Sequence, residues 1–510
     1  MNKALILDFG SQYTQLIARK VRELGVYSEI HPFNVSLKKI KDLDPGVIIL
    51  SGGPKSVYEA ESPHPDPGIF MLGIPILGIC YGLQLIAHHL GGRVDRSPER
   101  EYGFASLHII DRSGLLAGLK EKTQVWMSHG DRLEAVPEGF TITGRTSNSR
   151  AAVVENPERK IYGVQFHPEV AHTQEGKKVL GNFLFRIADL KADWDMTSFI
   201  RDKVHEIRQQ VGEEKVICGL SGGIDSLVTA LIIQRAIGRQ LHCVFVNNGL
   251  LRKGEYESLL EEFRRKFSLQ VTGVEAEDRF LQKLRGVTAP EKKRKIIGQA
   301  FIEIFEEEAR KLGSVRFLAQ GTIYPDVIES TSVRGPSHTI KSHHNVGGLP
   351  SDLKFQLVEP LRELFKDEVR ALALQLGVSH QFIHQHPFPG PGLAVRIIGE
   401  VNRENLRIIR EADAILLEEV RRARIYNKLW QAFAVLLPVR SVGVMGDQRT
   451  YQQVVAIRMV QSSDGMTANW YPASPQLLKK ISTRIVNEVD GVNRVVYDIT
   501  SKPPGTIEWE

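Results

Sequence analysis

The stretch Ile74-Pro-Ile-Leu-Gly-Ile-Cys80-Tyr-Gly-Leu-Gln84 decides the fold of the first part of the chain. An apolar run of strand length ends at a cysteine, and a helical pattern begins directly after it. Gly78 and Gly82 lie two residues on either side of Cys80, which is the frame of a nucleophile elbow. The start of a helix favours an ionised thiol and offers backbone N–H groups to an oxyanion. We therefore interpret Cys80 as a candidate nucleophile, although most cysteines are simply small buried side chains.

Two further segments support this interpretation. The apolar strand pattern Ile161–Phe166 ends at His167-Pro-Glu169, where a histidine and a carboxylate two residues apart point the same way in an extended chain. A cysteine–histidine pair oriented by a carboxylate is the arrangement used for acyl transfer through a thioester. The turn Ser51-Gly-Gly-Pro54 follows another apolar strand and can supply an oxyanion N–H group. His129, with Asp131 two residues on, is a rival candidate base that lacks such a strand end, and we rank it second.

On these motifs, residues 1–192 resemble the class I (triad) glutamine amidotransferase domain, which releases ammonia from the side chain of glutamine. The resemblance implies Cys80 as nucleophile, His167 as general base and Glu169 as the group that orients it. It also implies an oxyanion hole from the amides of Gly53 and Tyr81. The residues implied to seat glutamine are Gln84, Ser128, His129 and the rest of the turn to Asp131.

A second strand-to-helix turn, Ser221-Gly-Gly-Ile-Asp225-Ser226, follows the strand pattern Val216–Leu220. Glycines allow a tight turn there, while hydroxyls and free amides at a helix start attract an anion. The hexad resembles the loop of the ATP pyrophosphatase family, which transfers AMP to a substrate oxygen and releases pyrophosphate. The resemblance implies that Ser221, Gly222, Gly223, Ile224, Asp225 and Ser226 bind ATP, with Asp225 beside Mg²⁺. Leu227 stands where many family members have Ser or Thr.

Three other features accompany this loop. The strand end Gln320-Gly-Thr322, with Asp326 and Glu329 further on, is a candidate metal-side wall. Lys341 lies in a glycine-flanked stretch that reads as a lid over phosphates. Lys366 is a second candidate phosphate cation, although we rate a solvated helix face slightly ahead.

The tail Lys502-Pro-Pro-Gly-Thr-Ile507-Glu508-Trp-Glu510 is stiff and amphipathic. Together with Arg440–Tyr451 and His386–Val395, it resembles the glutamine-hydrolysing GMP synthetase family over essentially the whole chain. The resemblance implies XMP as the acceptor: ATP adenylylates it, ammonia displaces AMP, and GMP forms. It further implies a homodimer whose sites can borrow residues from a neighbouring subunit. The residues implied to bind XMP are Arg294, Asp447, Arg449, Lys502, Ile507 and Glu508.

Alternating strand and helix patterns predict an α/β protein with two doubly wound parallel-sheet domains and a small α+β dimerisation domain after them. We place the boundaries at 1–192, 193–385 and 386–510; the second falls at the Pro/Gly cluster that starts at His386. In the last domain we predict helices at Arg403–Ala423, Lys428–Val435 and Pro475–Val489, and strands at Gln453–Val460 and Arg494–Asp498.

Composition narrows the remaining classes. The length of 510 residues suits about three domains, and three cysteines without a C-x-x-C pair indicate a reduced, cytoplasmic protein. The apolar runs are too short to span a membrane, and a net charge of +6 is too weak to argue for nucleic acid. Three alternatives stay open: a glutamine-dependent NAD synthetase, an RNA-binding tRNA-thiolating protein, and a non-catalytic nucleotide sensor. The triad argues against the first two, and the complete set of motifs against the third.

Overall fold

The computed structural model describes residues 3–313, 315–330, 355–445, 447–462, 465 and 467–510, apart from a few side chains. Two compact units are built from these residues: the first from 3–199 with 328–330, and the second from 200–327 with 355–510. In the described part of the chain, no helix is long and apolar enough to cross a membrane.

The first unit is built around a nine-stranded sheet in the order β2-β1-β3-β4-β9-β8-β7-β5-β6. The strands are β1 (Lys3–Asp8), β2 (Tyr27–Pro32), β3 (Val47–Leu50), β4 (Ile76–Ile79), β5 (Arg93–Ile109), β6 (Lys122–Ala135), β7 (Thr141–Arg145), β8 (Val153–Asn156) and β9 (Ile161–Val164). The helices are α1 (Thr14–Glu23), α2 (Leu37–Leu43), α3 (Tyr81–His89) and α4 (Gly176–Gly181).

This sheet is mixed, which corrects the expectation of a parallel sheet. The five strands from β2 to β9 are parallel to one another, whereas β8, β7, β5 and β6 pair antiparallel. The antiparallel half escaped prediction because polar residues share its buried face. Along β6, side chains alternate between buried and partly exposed, and His129 and Asp131 belong to the buried set. An alternation of hydropathy is therefore weak even though the alternation of burial is regular.

The second unit contains a five-stranded sheet in the order β12-β11-β10-β13-β14, and every pair in it is parallel. Its strands are β10 (Lys215–Leu220), β11 (Leu241–Asn247), β12 (Val271–Glu275), β13 (Val315–Ala319) and β14 (Gln356–Val358). Its helices are α5 (Met196–Val211), α6 (Ile224–Ile237), α7 (Glu255–Glu261), α8 (Glu277–Leu284), α9 (Pro290–Lys311), α10 (Tyr324–Ser330), α11 (Lys366–Gln375) and α12 (His380–Ile383).

The strand order reverses at β10, since β11 and β12 lie on one side of it and β13 and β14 on the other. In open α/β sheets, ligands bind at the carboxyl ends of strands at such a reversal. The loop that begins at Ser221 follows β10 directly and therefore occupies this position. Cys218 on β10 is paired in register with Cys243 on β11, and both thiols are buried.

The rest of the second unit packs α13 (Arg403–Arg422) and α14 (Pro475–Glu488) on a small sheet of β15 (Gln431–Met445), β16 (Gln448–Gln461), β17 (Asn469–Trp470) and β18 (Val492–Tyr497). β16 pairs antiparallel with β15 and β17 and parallel with β18. One buried apolar cluster joins Ile217 and Val244 of the parallel sheet to Ile409 and Val455 of this region. The predicted helix at Lys428–Val435 is wrong: β15 begins within it, at Gln431.

Candidate active site

Cys80 lies at the sharp turn between β4 and α3, as its sequence frame predicts. Its φ of 54° is in the left-handed region, and its backbone N–H donates to the carbonyl of Val164 on β9 at 2.7 Å. A Cβ atom on Gly78 would lie 2.5 Å from the backbone of Gly82, and one on Gly82 would lie 2.3 Å from the carbonyl oxygen of Leu50. Only glycine fits at both positions, so these two residues allow the helix to approach the sheet closely enough to form the turn.

His167 and Glu169 follow β9 and lie beside this turn. The ring Nδ1 of His167 is 2.7 Å from Glu169 Oε1, and both side chains are buried. The backbone N–H of His167 donates to the carbonyl of Trp126 on β6 at 3.0 Å, which ties the main chain that carries the ring to β6. Since Nδ1 is occupied by the carboxylate, the other ring nitrogen is left for the Cys80 thiol, with which His167 interacts.

The charge of His167 is set by opposing effects. Burial disfavours the charged ring, but the Glu169 carboxylate and Cys80 outweigh it and hold the pKa of His167 well above its usual value. A proton is therefore retained on the ring next to the sulfur. In general, a protonated histidine beside a cysteine favours the thiolate, which is the reactive form of a cysteine nucleophile.

His129, the rival base, has both ring nitrogens occupied by other groups. Nδ1 is 2.8 Å from the carbonyl oxygen of Asp131, and Nε2 is 3.2 Å from Glu101 Oε2. The Asp131 carboxylate does not orient the ring, because it accepts instead from the Tyr58 hydroxyl at 2.9 Å. Of the two histidines, His167 is therefore the one whose charge responds to Cys80 and whose second ring nitrogen is not bound elsewhere among the described residues.

A cavity of 1040 Å³ opens in front of Cys80. The predicted residues that line it are Gly53, Cys80, Tyr81, Gln84, Ser128, His129, Asp131 and His167. The Cys80 thiol faces the carbonyl oxygen of Ser128 at 3.6 Å, and the Gln84 amide donates to the carbonyl of Asp131 at 3.2 Å. The glutaminase candidates are thus brought together, apart from Glu169, which lies behind His167.

Sequence reasoning missed three aromatic residues of this cavity, Tyr13, Tyr58 and Tyr102, of which the first two contact predicted residues. The ring of Tyr13 packs edge-on against His167, with 5.0 Å between the ring centroids, and Tyr58 holds Asp131. Tyr13 follows β1 in the turn Gly10–Tyr13, which occupies the same sheet edge as the ends of β3, β4 and β9. A polar turn after the first parallel strand is the signal that could have found it.

The two residues whose amides are expected to stabilise an oxyanion, Gly53 and Tyr81, both line the cavity. Tyr81 is the first residue of α3, so its N–H has no acceptor within the helix. Gly53 packs so closely that a Cβ atom on it would lie 3.0 Å from the carbonyl oxygen of Phe9 and 3.1 Å from the Tyr81 ring. The Tyr81 hydroxyl donates to the carbonyl of Pro63 at 2.9 Å, which anchors the ring.

In the second unit, the Ser221–Ser226 loop closes on its own side chains. Ser226 Oγ accepts from the Ser221 amide at 3.1 Å and lies 3.0 Å from Ser221 Oγ, and Gly222 adopts a φ of 82°. Ser221 Oγ accepts from the Gly223 amide at 3.3 Å. The loop therefore gathers hydroxyls and amides at the start of α6, as the hexad predicts.

Lys366 lies on a helix with its side chain 42% exposed, as expected of a solvated residue, but it also contacts the phosphate loop. At the first position of α11, its Nζ lies 2.5 Å from Asp225 Oδ2. The other oxygen of Asp225, Oδ1, is buried without a hydrogen-bond partner among the described residues. Gly321 lies against the same aspartate, since a Cβ atom on it would be 3.1 Å from the Asp225 carbonyl carbon.

The other proposed wall residues are engaged elsewhere. The Thr322 hydroxyl donates to Glu359 at 2.6 Å, and the Asp326 carboxylate accepts from the amide of Ile323 at 3.1 Å within its own turn. Both are therefore held in place without a ligand. Lys341 and the side chain of Glu329 lie outside the described residues.

The tail is ordered and packs on β15 and β16. Three nitrogens of the buried Arg458 donate to carbonyls of Thr500, Thr506 and Ile507, and the Lys502 amine donates to the carbonyl of Gly465 at 2.8 Å. The side chain of Ile507 packs on a cluster formed by Phe433, Val435 and Ala456. Glu508 accepts from the guanidinium of Arg396.

Arg294, on α9, also contacts the tail: its Nη2 donates to the Glu510 oxygen at 2.7 Å. Four of the six residues implied to bind XMP (Arg294, Lys502, Ile507 and Glu508) are therefore in or against this segment.

Asp447 and Arg449 are not brought to it. They lie at the tip of the β15–β16 hairpin, whereas the tail contacts β16 near Arg458. Nine residues of strand separate Arg449 from Arg458, which is roughly 30 Å of extended chain. The hairpin tip also exposes Val442, Val444 and Tyr451.

Comparisons with known proteins agree with this arrangement. Three family models match: "Glutamine amidotransferase class-I" over residues 5–187, "NAD synthase" over 194–277 and "GMP synthase C terminal domain" over 418–509. The NAD synthase model covers the phosphate loop but not the first unit. The match therefore concerns the ATP-binding part and does not support a complete NAD synthetase.

Curated relatives match over the whole length. A glutamine-hydrolysing GMP synthase from Brachyspira hyodysenteriae is 56% identical, with 100% of this chain and 99% of the relative covered. Another from Nitratiruptor sp. is 58% identical, with 99% of each chain covered. One from Carboxydothermus hydrogenoformans is 57% identical over 100% of both chains.

Proposed function

This chain belongs to the glutamine-hydrolysing GMP synthases, the ATP-dependent ligases of purine biosynthesis, and from that membership we propose how its residues divide the reaction. Residues 1–192 hydrolyse glutamine, 193–385 bind and activate ATP, and 386–510 bind XMP and form a dimer. The single observation that carries the proposal is that Cys80 and His167, the latter paired with the buried Glu169, line one cavity large enough for an amino acid.

In the first unit, the Cys80 thiolate attacks the side-chain amide carbon of glutamine. The amides of Gly53 and Tyr81 take the negative charge that develops on the amide oxygen. His167 gives its proton to the departing nitrogen, so ammonia leaves and a thioester to Cys80 remains. Water, deprotonated by His167, then hydrolyses the thioester to glutamate and restores the thiolate.

Substrate seating in this cavity follows from its polar groups. Gln84 is fixed by the Asp131 carbonyl, and the turn from Ser128 to Asp131 presents backbone oxygens to the ammonium group of glutamine. The ring of His129 bridges Glu101 and the backbone of the turn at Asp131. Its role is therefore to hold the turn in place and not to move protons.

In the second unit, an oxygen on the XMP base attacks the α-phosphorus of ATP and pyrophosphate leaves. Ammonia then attacks the ring carbon that bears this oxygen and loses a proton. AMP departs with the oxygen, so the C–O bond is replaced by a C–N bond. The Ser221–Ser226 loop holds the leaving pyrophosphate by its amides and hydroxyls. Lys366 is close enough to the loop for its ammonium group to leave Asp225 and pair with a phosphate oxygen instead.

The residues present also fit a Mg²⁺ ion. Within the described ranges, one buried oxygen of Asp225 has no hydrogen-bond partner and the other is bound by Lys366, and carboxylate oxygens are the ligands that Mg²⁺ prefers. When bound, the ion neutralises charge on the pyrophosphate. Asp225 would hold it, and Gly321 packs against the backbone of that residue.

For XMP, the tail supplies Lys502 for phosphate and Glu508 for ring N–H groups, with Arg294 assisting. Asp447 and Arg449 reach such a site only if a second copy presents its hairpin, since roughly 30 Å of strand separates them from their own tail. The exposed valines of the hairpin support a homodimer for the same reason. Three cysteines without a disulfide support a cytoplasmic location.

The decisive experiment compares glutamine with ammonium as the nitrogen source for GMP formation, with ATP, Mg²⁺ and XMP present. Cys80→Ala should lose glutamine-driven synthesis by about 10⁴-fold or more while ammonium-driven synthesis stays within about twofold. Cys218→Ala is the matched control, because that thiol lies in a strand of the second unit. If Cys80→Ala kept glutamine-driven synthesis, the triad assignment would be wrong. Loss of both activities in this variant would contradict the division between the two sites.

A further inference from the structure

Arg396 lies at the end of the 3-10 turn Gly392–Arg396 and carries a charge that the sequence motifs do not explain. It is 0% exposed, which is rare for an arginine without a specific partner. Its Nη2 donates to Glu508 Oε1 at 3.0 Å, and its Nε faces Oε2 of the same carboxylate at 3.3 Å. The guanidinium therefore grips Glu508 with two parallel bonds.

The surroundings prevent this guanidinium from turning. The ring of Phe388 lies 5.0 Å from its central carbon and the ring of Phe433 lies 4.5 Å away. Its remaining nitrogen, Nη1, is 3.6 Å from Asp413 Oδ1, and Asp413 is itself buried. Arg252, in the loop after β11, is 3.3 Å from the other oxygen of Asp413. Charges thus alternate along Arg252, Asp413, Arg396 and Glu508.

The hydrogen bonds to Glu508 leave little capacity for a ligand. A carboxylate has about four acceptor positions, two on each oxygen. Oε1 accepts from Arg396 Nη2 and from Gln431 Nε2, the latter at 2.6 Å, so both of its positions are taken. Oε2 accepts from Arg396 Nε alone. Among the described residues, one position on Oε2 is therefore left.

We propose that Arg396 is the positioning residue of the XMP site: it fixes Glu508 so that one acceptor position on Oε2 meets one ring N–H of the purine. This inference rests on the proposed role of Glu508 as an XMP ligand. Without the Arg396 fork, Glu508 can rotate, and the N–H acceptor is no longer held in one place. Gln431 supports the same orientation from one side only.

The experiment measures ammonium-driven GMP formation with varied XMP at saturating ATP and Mg²⁺, and then with varied ATP. Arg396→Met should raise the KM for XMP by about tenfold or more and leave the KM for ATP within about twofold. Arg396→Lys, which keeps the charge but not the fork, should show a KM between those of wild type and Arg396→Met. Arg407→Met, which breaks ion pairs on the surface of α13, is the matched control and should leave both KM values unchanged.

A double-mutant cycle separates positioning from a general loss of structure. In a Glu508→Gln background, Arg396→Met should add less than about twofold to the KM for XMP, because its effect passes through Glu508. Equal effects in both backgrounds would overturn the proposal. So would an unchanged KM in an Arg396→Met protein that retains the wild-type circular dichroism spectrum.

Gln431→Met covers the case in which Arg396→Met does not fold, because it removes only one bond to Oε1. It should raise the KM for XMP by about threefold, and no change would overturn the proposal. If Glu508→Gln alone left the KM for XMP unchanged, the proposed XMP site itself would be wrong. A change with Glu508→Gln but not with a folded Arg396 variant would reject the positioning role only.

Discussion

The two strand-to-helix turns of this molecule use the same local geometry in opposite ways. At Cys80 the reactive atom lies on the turn itself, and its partners arrive from β9 in the same sheet, already bonded to one another. At Ser221–Ser226 the polar groups bond among themselves, and Asp225 is neutralised by Lys366. The first turn has its partners in place without substrate, whereas we expect the second to exchange its internal bonds for bonds to its ligand. Covalent catalysis needs fixed distances, while an anion site needs groups that can be released.

Among the tests of this comparison, the largest expected effect concerns release at the second turn. Lys366→Met should lower kcat/KM for ammonium-driven GMP formation by about 10²-fold, because a phosphate cation is lost and Asp225 is left unpaired. Glutamine hydrolysis without ATP and XMP should stay within about twofold. Initial rates with each nitrogen source measure both. Lys215→Met, at the opposite end of β10, is the control, and an equal loss with that variant would remove Lys366 from the site.

A smaller effect compares how tightly the two turns are built. A Cβ atom on Gly82 would meet the backbone of Leu50 at 2.3 Å, while one on Gly222 would meet only the end of the Leu259 side chain, at 2.8 Å. Gly82→Ala should therefore lower the temperature at which glutaminase activity is lost by about 10 °C. Gly222→Ala, strained by its positive φ, should lower that of ammonium-driven synthesis by about 3 °C. Equal shifts would show that both turns are equally rigid.

The smallest effect concerns the proton that His167 retains at the first turn. Because the Glu169 carboxylate helps to raise the pKa of His167, the protonated ring persists above the pH at which free histidine loses its proton. Glutaminase activity should fall as pH rises through this raised pKa. Glu169→Gln removes the carboxylate but not the opposing burial, so the alkaline limb of the pH–rate profile should move down by about one pH unit.

Glu29→Gln is the control for that profile, since Glu29 pairs with His31 two residues away on β2 and lies outside the cavity. Its alkaline limb should coincide with that of wild type. A limb that did not move in Glu169→Gln would mean that Glu169 only orients the ring and does not influence its charge.

What the sequence could predict follows from how local each signal is. Both turns could be predicted because each motif is short. Gly78, Cys80 and Gly82 lie within five residues, and Ser221–Ser226 is a run of six. The ion pair between Lys366 and Asp225 joins residues 141 positions apart, and no local pattern announces it. Arg396 is hidden for the same reason, because its partner Glu508 lies 112 positions away.

Two errors in secondary structure have a different origin. The segment Leu429–Leu437 is apolar almost throughout, so it has neither the period of a helix nor that of a strand, and only its pairing with β16 decides for a strand. In the first sheet, His129 and Asp131 lie on the buried face of β6, where they line the cavity in front of Cys80. Function thus obscures the hydropathy pattern at the place where the sheet changes from parallel to antiparallel.

The placement of the three thiols has a practical consequence for chemical labelling. Cys218 and Cys243 face each other inside a sheet, where contact between the two thiols and burial raise the pKa of Cys243 well above its usual value. Cys80 instead faces an open cavity next to a histidine that keeps its proton. An electrophile shaped like glutamine should therefore modify one cysteine of the three, so the label incorporated per chain counts competent glutaminase sites in any preparation.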